Sequence, residues 1–484
     1  VTNFAGGARV TLLAQWVRFA IQVVGFVVLT RLLTPAEFGV VAMVTVIVAL
    51  AMLVADSGLM FAGIQAADLD EGQRTNLFWL NAAAGAVGMA IVALSGPLLA
   101  WFYHDDRVVG LALVISVTLL LNGLAVQFRV AINRQFRFGI LALEDVIAAG
   151  AGLIVGTLMA VAGAGYWALA GQLVSQSLVL VALAAAQSHW WPGWPRRGST
   201  MGGLVRFGSN NLWVQLMNMV SRTTDAMMVG RLQGAEALGF YSRATQLVNM
   251  SFQQLVTPLT RVMLPRLASE QTTEGLNGAL LRVQRVIVYV LLGAVSALAA
   301  VAHPLTIVFL GAHWAPMAII VQVLCVGAVF QALGYVYYWA FLAIARTGTL
   351  LLSELPGRLL MILGVIVVAR WGVLPVAWVM SLGLAVIWAT STVVFAPRAG
   401  IDSRRLTAIA VPPIVLFALA FGAAFILQSV WFAADVEDSP LTALVSLAGA
   451  WIAVVALGML VPRVRRDVRA VVADTTRLRR RSHS

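Results

Sequence analysis

Apolar residues run along this chain in stretches of about 20, the length a helix needs to cross a lipid bilayer. Counting them predicts fourteen helices, near 9–30, 38–60, 77–100, 108–129, 140–162, 165–188, 204–229, 237–261, 281–302, 316–342, 350–370, 373–395, 406–428 and 440–461. The fifth and sixth are separated only by Ala-Gly-Ala-Gly-Tyr at 162–166. Two of the runs are broken by polar residues in the same pattern. The first holds Thr11, Gln15, Arg18 and Gln22; the seventh holds Asn211, Gln215, Asn218 and Arg222, with Asp225 one turn on. Both sets are spaced 4, 3, 4, so each falls within an arc of about 60° on one helix face.

Each member of the second set lies 200 residues after its counterpart in the first. An Arg at the centre of a membrane helix costs on the order of 2.5–3.5 kcal/mol, so such residues face a bundle interior or a wet cavity. A duplicated polar stripe therefore implies two lobes around a hydrophilic cavity, the layout of a transporter. The same offset recurs outside the stripes: Arg31-Leu32 and Gly39 match Arg231-Leu232 and Gly239. Six helices separate the copies, so both have one orientation, a parallel repeat about an axis along the membrane normal. The expected fold is all-α and polytopic: two six-helix bundles in parallel pseudo-two-fold repeat, plus two C-terminal helices. The expected divisions are an N-terminal lobe at 1–188, a linker at 189–203, a second lobe at 204–395, two additional helices in 396–462 and a basic tail at 463–484.

Composition agrees with this. The chain is 61% hydrophobic and 11% charged, against roughly 25% charged for soluble domains. All 32 basic side chains are Arg. Without Lys there is no Walker A loop and no Schiff base, so an ATP-driven pump within this chain is not expected. Cys325 is the only cysteine and the five His show no ligand spacing, so neither a disulfide nor a metal site is expected. The first apolar run exceeds a signal-peptide core and no small-residue cleavage site follows, so no processing is expected.

Arg orients the helices. With the N-terminus inside, inner segments and helix ends hold Arg9, Arg74, Arg129, Arg134, Arg137, Arg196, Arg197, Arg206, Arg261, Arg266, Arg282, Arg285, Arg346, Arg398, Arg404 and Arg405, and the tail adds eight more. The outer side has only Arg31, Arg107, Arg231 and Arg370. This positive-inside bias puts both termini in the cytoplasm. The basic balance is topogenic and needs no nucleic-acid partner. Thr34-Pro35-Ala36-Glu37 is a helix-start pattern, with Thr as N-cap and Glu closing a capping box.

The stretch RLLTPAEFGVVAM (31–43), followed by MLVADSGLMFAGIQ (52–65), resembles the polysaccharide-transporter (Wzx-type) flippases, especially the colanic-acid-exporter branch. These belong with multidrug exporters and the lipid II flippase in one superfamily. The resemblance implies two six-helix bundles facing each other in a V and a bacterial inner-membrane location. It also implies a substrate, an undecaprenyl-diphosphate-linked oligosaccharide moved to the outer leaflet by alternating access. Membrane lipids, and the polysaccharide polymerase and chain-length machinery, are the implied partners; no cofactor and no covalent chemistry are.

Arg suits a diphosphate because its planar fork donates two parallel charge-assisted hydrogen bonds and stays protonated. Arg18 and Arg222 are the expected anion ligands. Gln15, Gln22, Asn211, Gln215 and Asn218, with Gln246 and Asn249 of the eighth helix, would hydrogen-bond glycan hydroxyls. Asp225 is the candidate for ion coupling, while Asp56 and the Glu144-Asp145 pair lie near inner helix ends, where solvation is expected. Glu354 and Arg358, at i and i+4, read as a helical ion pair. Trp79, Trp101, Trp167, Trp190, Trp191 and Trp194 read as interfacial anchors. The segment 189–203, with WWPGWPRRG at its centre, is the expected place for lobe motion to be absorbed. Two other classes stay open: a cation-coupled drug or solute antiporter of the same fold, and a membrane glycan polymerase or ligase. The antiporter would favour carboxylates in its cavity. The enzyme would need a catalytic outer loop, and His104-Asp105-Asp106-Arg107, the one such cluster, reads as solvated.

Overall fold

The computed structural model describes residues 2–56, 70–195, 202–270, 272–433, 440–462 and 464–469, with side chains from 13 onward except at 53–56, 202–222, 258, 261–262 and 431–433. The protein is an all-α polytopic membrane protein, and no strand occurs among the described residues. Helices are the expected answer to lipid, because every backbone N–H and C=O must be paired within the segment. Among the described residues, twelve helices are long and apolar enough to cross a membrane. Two further helices make up the stretch Gly202–Ala268, which breaks at Gly234 where φ is 84°. Only glycine takes that backbone without strain. Together they match the fourteen expected runs.

The chain divides into two compact units, Val1–Gly239 and Phe240–Ser484. In the first, α1 (Thr2–Leu32) packs on α6 (Phe138–Val161), and α6 packs on α7 (Trp167–Gln187). Helices α2 (Pro35–Asp56) and α3 (Glu71–Leu94) pack on each other and on α5 (Arg107–Arg134), which also meets α7. The expected third span ends early: α3 stops before Ser95, and Gly96 and Pro97 begin a short α4 (Gly96–Tyr103). A proline ring leaves no N–H for the preceding turn, so the chain restarts there. The narrow Ala162–Tyr166 separation is a real turn between α6 and α7.

The start of α2 forms as the sequence predicts. Thr34 N and Thr34 Oγ1 donate to Glu37 Oε2 at 2.7 and 2.9 Å, and Glu37 N donates back to Thr34 Oγ1 at 3.4 Å. Asp70 and Gln73 cap α3 in the same way.

In the second unit, α8 (Thr273–Ile287) continues through a π-helical turn at Val288–Leu292 into α9 (Gly293–Leu310). Helix α10 (Met317–Ala343) packs on α12 (Val373–Thr390), which packs on α11 (Thr347–Val368). Ser381 Oγ donates to the Val323 carbonyl at 2.8 Å across the first contact, and Thr390 Oγ1 to the Ser353 carbonyl at 2.6 Å across the second. Helices α13 (Ser403–Ala433) and α14 (Pro440–Gly458) pack on each other and on α9. There the Trp451 indole donates to Ser296 Oγ at 3.0 Å and stacks on Phe417. Polar side chains thus join apolar helices where lipid cannot compete for them.

Candidate functional site

Arg18 stands close to the midpoint of α1, about 21 Å from Leu32 at 1.5 Å per residue. Its partner lies on α6. Arg18 Nη1 donates to Asp145 Oδ2 at 3.2 Å, and the other carboxylate oxygen, Oδ1, lies 2.9 Å from Arg129 Nη2 of α5. Glu144, the preceding residue, is fully buried with Oε2 3.9 Å from Arg129 Nε. Two guanidinium groups and two carboxylates from three helices therefore form one charge-balanced cluster inside apolar spans. Balance is what makes the burial affordable, since an isolated ion in such surroundings costs several kcal/mol.

The cluster is not closed. Arg18 keeps 43% of its side chain exposed, and Asp145 and Arg129 keep 25% each. Among the described residues, Glu144 Oε1 and Oε2 and Arg129 Nε have no hydrogen-bond partner. The expected solvation is therefore wrong for Glu144, which is buried; Asp145 keeps partial exposure but is paired with two arginines. Sequence reasoning also missed Arg129, assigned above to a helix end. The available signal was depth. Arg129 and Asp145 lie one to two turns from the facing ends of α5 and α6, which a short connection joins.

Of the remaining expected residues, Gln15 is half-buried on the stripe of α1 and Gln22 is exposed. Gln246 is half-buried and Asn249 exposed. The side chains of Asn211, Gln215, Asn218 and Arg222 lie outside the described residues. Asp225 is buried, with one carboxylate oxygen accepting from the Ala226 amide at 2.8 Å. Glu354 and Arg358 form the expected i,i+4 ion pair at 2.6 Å.

The two copies of the repeated motif meet within the first unit. A Cβ at Gly39 would overlap the Ala235 carbonyl oxygen, and one at Gly239 would overlap the Pro35 carbonyl oxygen. Nearby, Arg231 Nη1 lies 2.7 Å from His104 Nε2, and His104 Nδ1 lies 2.8 Å from the Trp101 carbonyl. Arg can only donate, so Nε2 is the acceptor and Nδ1 carries the proton. The loop read as solvated is thus partly engaged. Beside it Arg107 donates from Nε and Nη2 to Asp105 at 2.9 and 2.7 Å. These hydrogen bonds hold the Asp105 carboxyl below the usual carboxylate range.

The front of the expected linker is fixed in place. Trp190 packs on Phe78 and Phe128, with the Arg74 guanidinium 4.1 Å from its ring centroid. The Trp79 indole donates to the Gly193 carbonyl at 2.9 Å. Trp79 and Trp190 thus fasten the segment after α7 to α3 and α5, a role beyond interfacial anchoring.

Residues 28–319, more than half of the chain, match the family model described as polysaccharide biosynthesis protein. The teichuronic acid biosynthesis protein TuaB of Bacillus subtilis (strain 168) is 26% identical over 333 residues, 68% of each chain. The lipopolysaccharide biosynthesis protein WzxC of Escherichia coli (strain K12) is 23% identical over 335 residues, 68% of this chain and 67% of its own. Among solved structures, the lipid II flippase MurJ in an inward closed conformation is similar with a TM-score of 0.70, over 93% of this chain and 97% of that one, at 13% identity. An inward-facing multidrug resistance MATE family transporter of the MOP superfamily gives 0.58, over 81% and 95%, at 14% identity. These two likenesses concern the fold; the sequence match over residues 28–319 carries the assignment, and the chain belongs to the polysaccharide biosynthesis protein family.

Proposed function

We propose that this protein is a flippase that moves an undecaprenyl-diphosphate-linked oligosaccharide, a polysaccharide or lipopolysaccharide repeat unit, across the bacterial inner membrane. The observation that carries the reading is Arg18, a partly exposed guanidinium held by Asp145 inside an apolar span. A lipid-linked sugar must keep its charged head out of hydrocarbon as it crosses, and a fixed cation inside the bilayer is what its diphosphate needs. The family match and the names of the relatives support the substrate class.

In this reading the lobes at 1–188 and 204–395 alternate between inward- and outward-open states, with both termini cytoplasmic. Arg18 and Arg222 bind the diphosphate or an acidic sugar. The amides of Gln15, Gln22, Asn211, Gln215, Asn218, Gln246 and Asn249 receive the glycan, and Asp225 is the candidate coupling residue. No bond is made or broken. Polysaccharide polymerase and chain-length machinery take the product on the outer face.

The test is lipid extraction from a strain lacking the gene, with sided labelling of lipid-linked sugars. An undecaprenyl-linked oligosaccharide should accumulate on the inner leaflet, and the wild-type protein should clear it while Arg18→Ala and Arg222→Ala do not. If no such lipid accumulates, the flippase reading fails.

A further inference from the structure

Two guanidinium groups from different helices converge on the single carboxylate of Asp145, at 3.2 Å from Arg18 and 2.9 Å from Arg129. This is the arrangement a bound phosphate would create, with a protein side chain in the ligand's place. We infer that Asp145 is the built-in occupant of a two-arginine anion site, and that a diphosphate displaces it to bind Arg18 and Arg129 together. The inference rests on the flippase reading and names Arg129 and Asp145 as the residues that set its headgroup specificity.

Three features argue for displacement over a permanent structural bridge. The first is access: Arg18, Arg129 and Asp145 all keep part of their side chains exposed, as a ligand requires. The second is spare donor capacity. Arg129 Nε is buried with no hydrogen-bond partner among the described residues, and a guanidinium carries five N–H donors. A diphosphate has more charge and more acceptor oxygens than the carboxylate, so it can use donors that Asp145 leaves idle. The third is Glu144. It is fully buried beside Arg129 at 3.9 Å, with both oxygens free of hydrogen bonds among the described residues. When Asp145 leaves, Glu144 remains as a countercharge, so Arg129 is never a bare buried cation.

A self-occupied site also discriminates. Ordinary phospholipids and monophosphate lipids carry less charge, and the internal carboxylate holds them off. Only a headgroup that outcompetes Asp145 enters.

The experiment measures binding to the full chain in nanodiscs of neutral lipid, with undecaprenyl diphosphate, undecaprenyl phosphate and inorganic pyrophosphate as probes. The wild-type protein should prefer the diphosphate lipid to the monophosphate lipid by about tenfold. Asp145→Asn should bind both lipids more tightly, by about fivefold for the diphosphate and more for the monophosphate, because the competitor is gone. Arg129→Lys keeps the charge that Glu144 and Asp145 need but loses the fork, and should weaken the diphosphate by about tenfold. The double variant should lose the gain made by Asp145→Asn. Millimolar pyrophosphate should compete with the diphosphate lipid.

A structural bridge gives the opposite: Asp145→Asn binds no better or worse, or pyrophosphate fails to compete, and either result overturns the inference. If Asp145→Asn does not fold, the cycle of Arg18→Gln, Arg129→Lys and their double variant decides. Losses that fall short of additive support one shared anion, and additive losses refute it. If the wild-type protein binds neither lipid, the flippase reading itself falls. If it binds the diphosphate lipid and the Arg129 and Asp145 variants match it, only the present inference does.

Discussion

Gly39 presses its bare α-carbon against the carbonyl of Ala235, and Gly239 does the same to the carbonyl of Pro35. Each contact is the other moved by 200 residues with its partners exchanged. The 200-residue offset read from the sequence thus recurs as a reciprocal pair of contacts within the first unit.

Gly39→Ala and Gly239→Ala should both be poorly tolerated, because the added methyl group overlaps a backbone oxygen that cannot swing aside. A loss of about 1–3 kcal/mol is expected for such overpacking. Gly150→Ala, where the new methyl meets no atom within 4 Å, is the control and should be neutral. Thermal unfolding in detergent reads the difference. Equal melting points for all three would rule out the close approach.

Glu354 and Arg358 bond to each other at 2.6 Å, and no role in transport is expected of them. Replacing both by Gln should leave the inner-leaflet lipid pool at its wild-type level. Glu354→Gln alone should be worse than the pair, by about 1–3 kcal/mol, because it leaves a half-buried guanidinium without its acceptor.

Trp190 holds the segment after α7 through Phe78, Phe128 and Arg74. Trp190→Ala should free it, with a stability cost of about 2 kcal/mol, below the usual figure for a fully buried Trp. Trypsin cleavage at Arg196 and Arg197 should then accelerate several-fold. An unchanged cleavage rate would mean that the clasp does not restrain the connection.

Asp105 is held below the ordinary carboxylate range by its hydrogen bonds from Arg107. A depressed folded value stabilises above the unfolded one and is lost as pH falls through the folded one. Its contribution should therefore be flat from pH 8 to pH 5 and disappear only on strong acidification. In Arg107→Gln that contribution should be smaller and its loss complete at a higher pH, as followed by melting temperature against pH.

How much of this was legible in the sequence follows from what each feature depends on. The fourteen helices and the Thr34–Glu37 cap are local properties, set by runs of apolar residues and by groups three positions apart. The cap formed as read, and so did the helices apart from the third, which breaks at Ser95. The repeat was legible because duplication leaves an arithmetic trace at 200 residues, even where few identities survive. The Arg18 cluster was half legible. The cation was conspicuous in an apolar run, but its partners come from helices packed beside it, and no periodicity announces that α1 lies on α6. Glu144 was misread for the same reason: distance from a helix end says how deep a residue sits, not which neighbour covers it. The Trp190 clasp was hidden because an aromatic near a span end looks the same whether it meets lipid or Phe128.

The ion cluster has a consequence for how the protein is made. Arg18 is synthesised 127 residues before Asp145, its partner. At about 5–20 residues per second, that is an interval on the order of 10 s. For that time the first helix carries a charge the bilayer disfavours, so it has reason to stay near water or the insertion machinery until α5 and α6 emerge. Assembly of this part of the chain thus waits on α6, because only its arrival makes the site neutral.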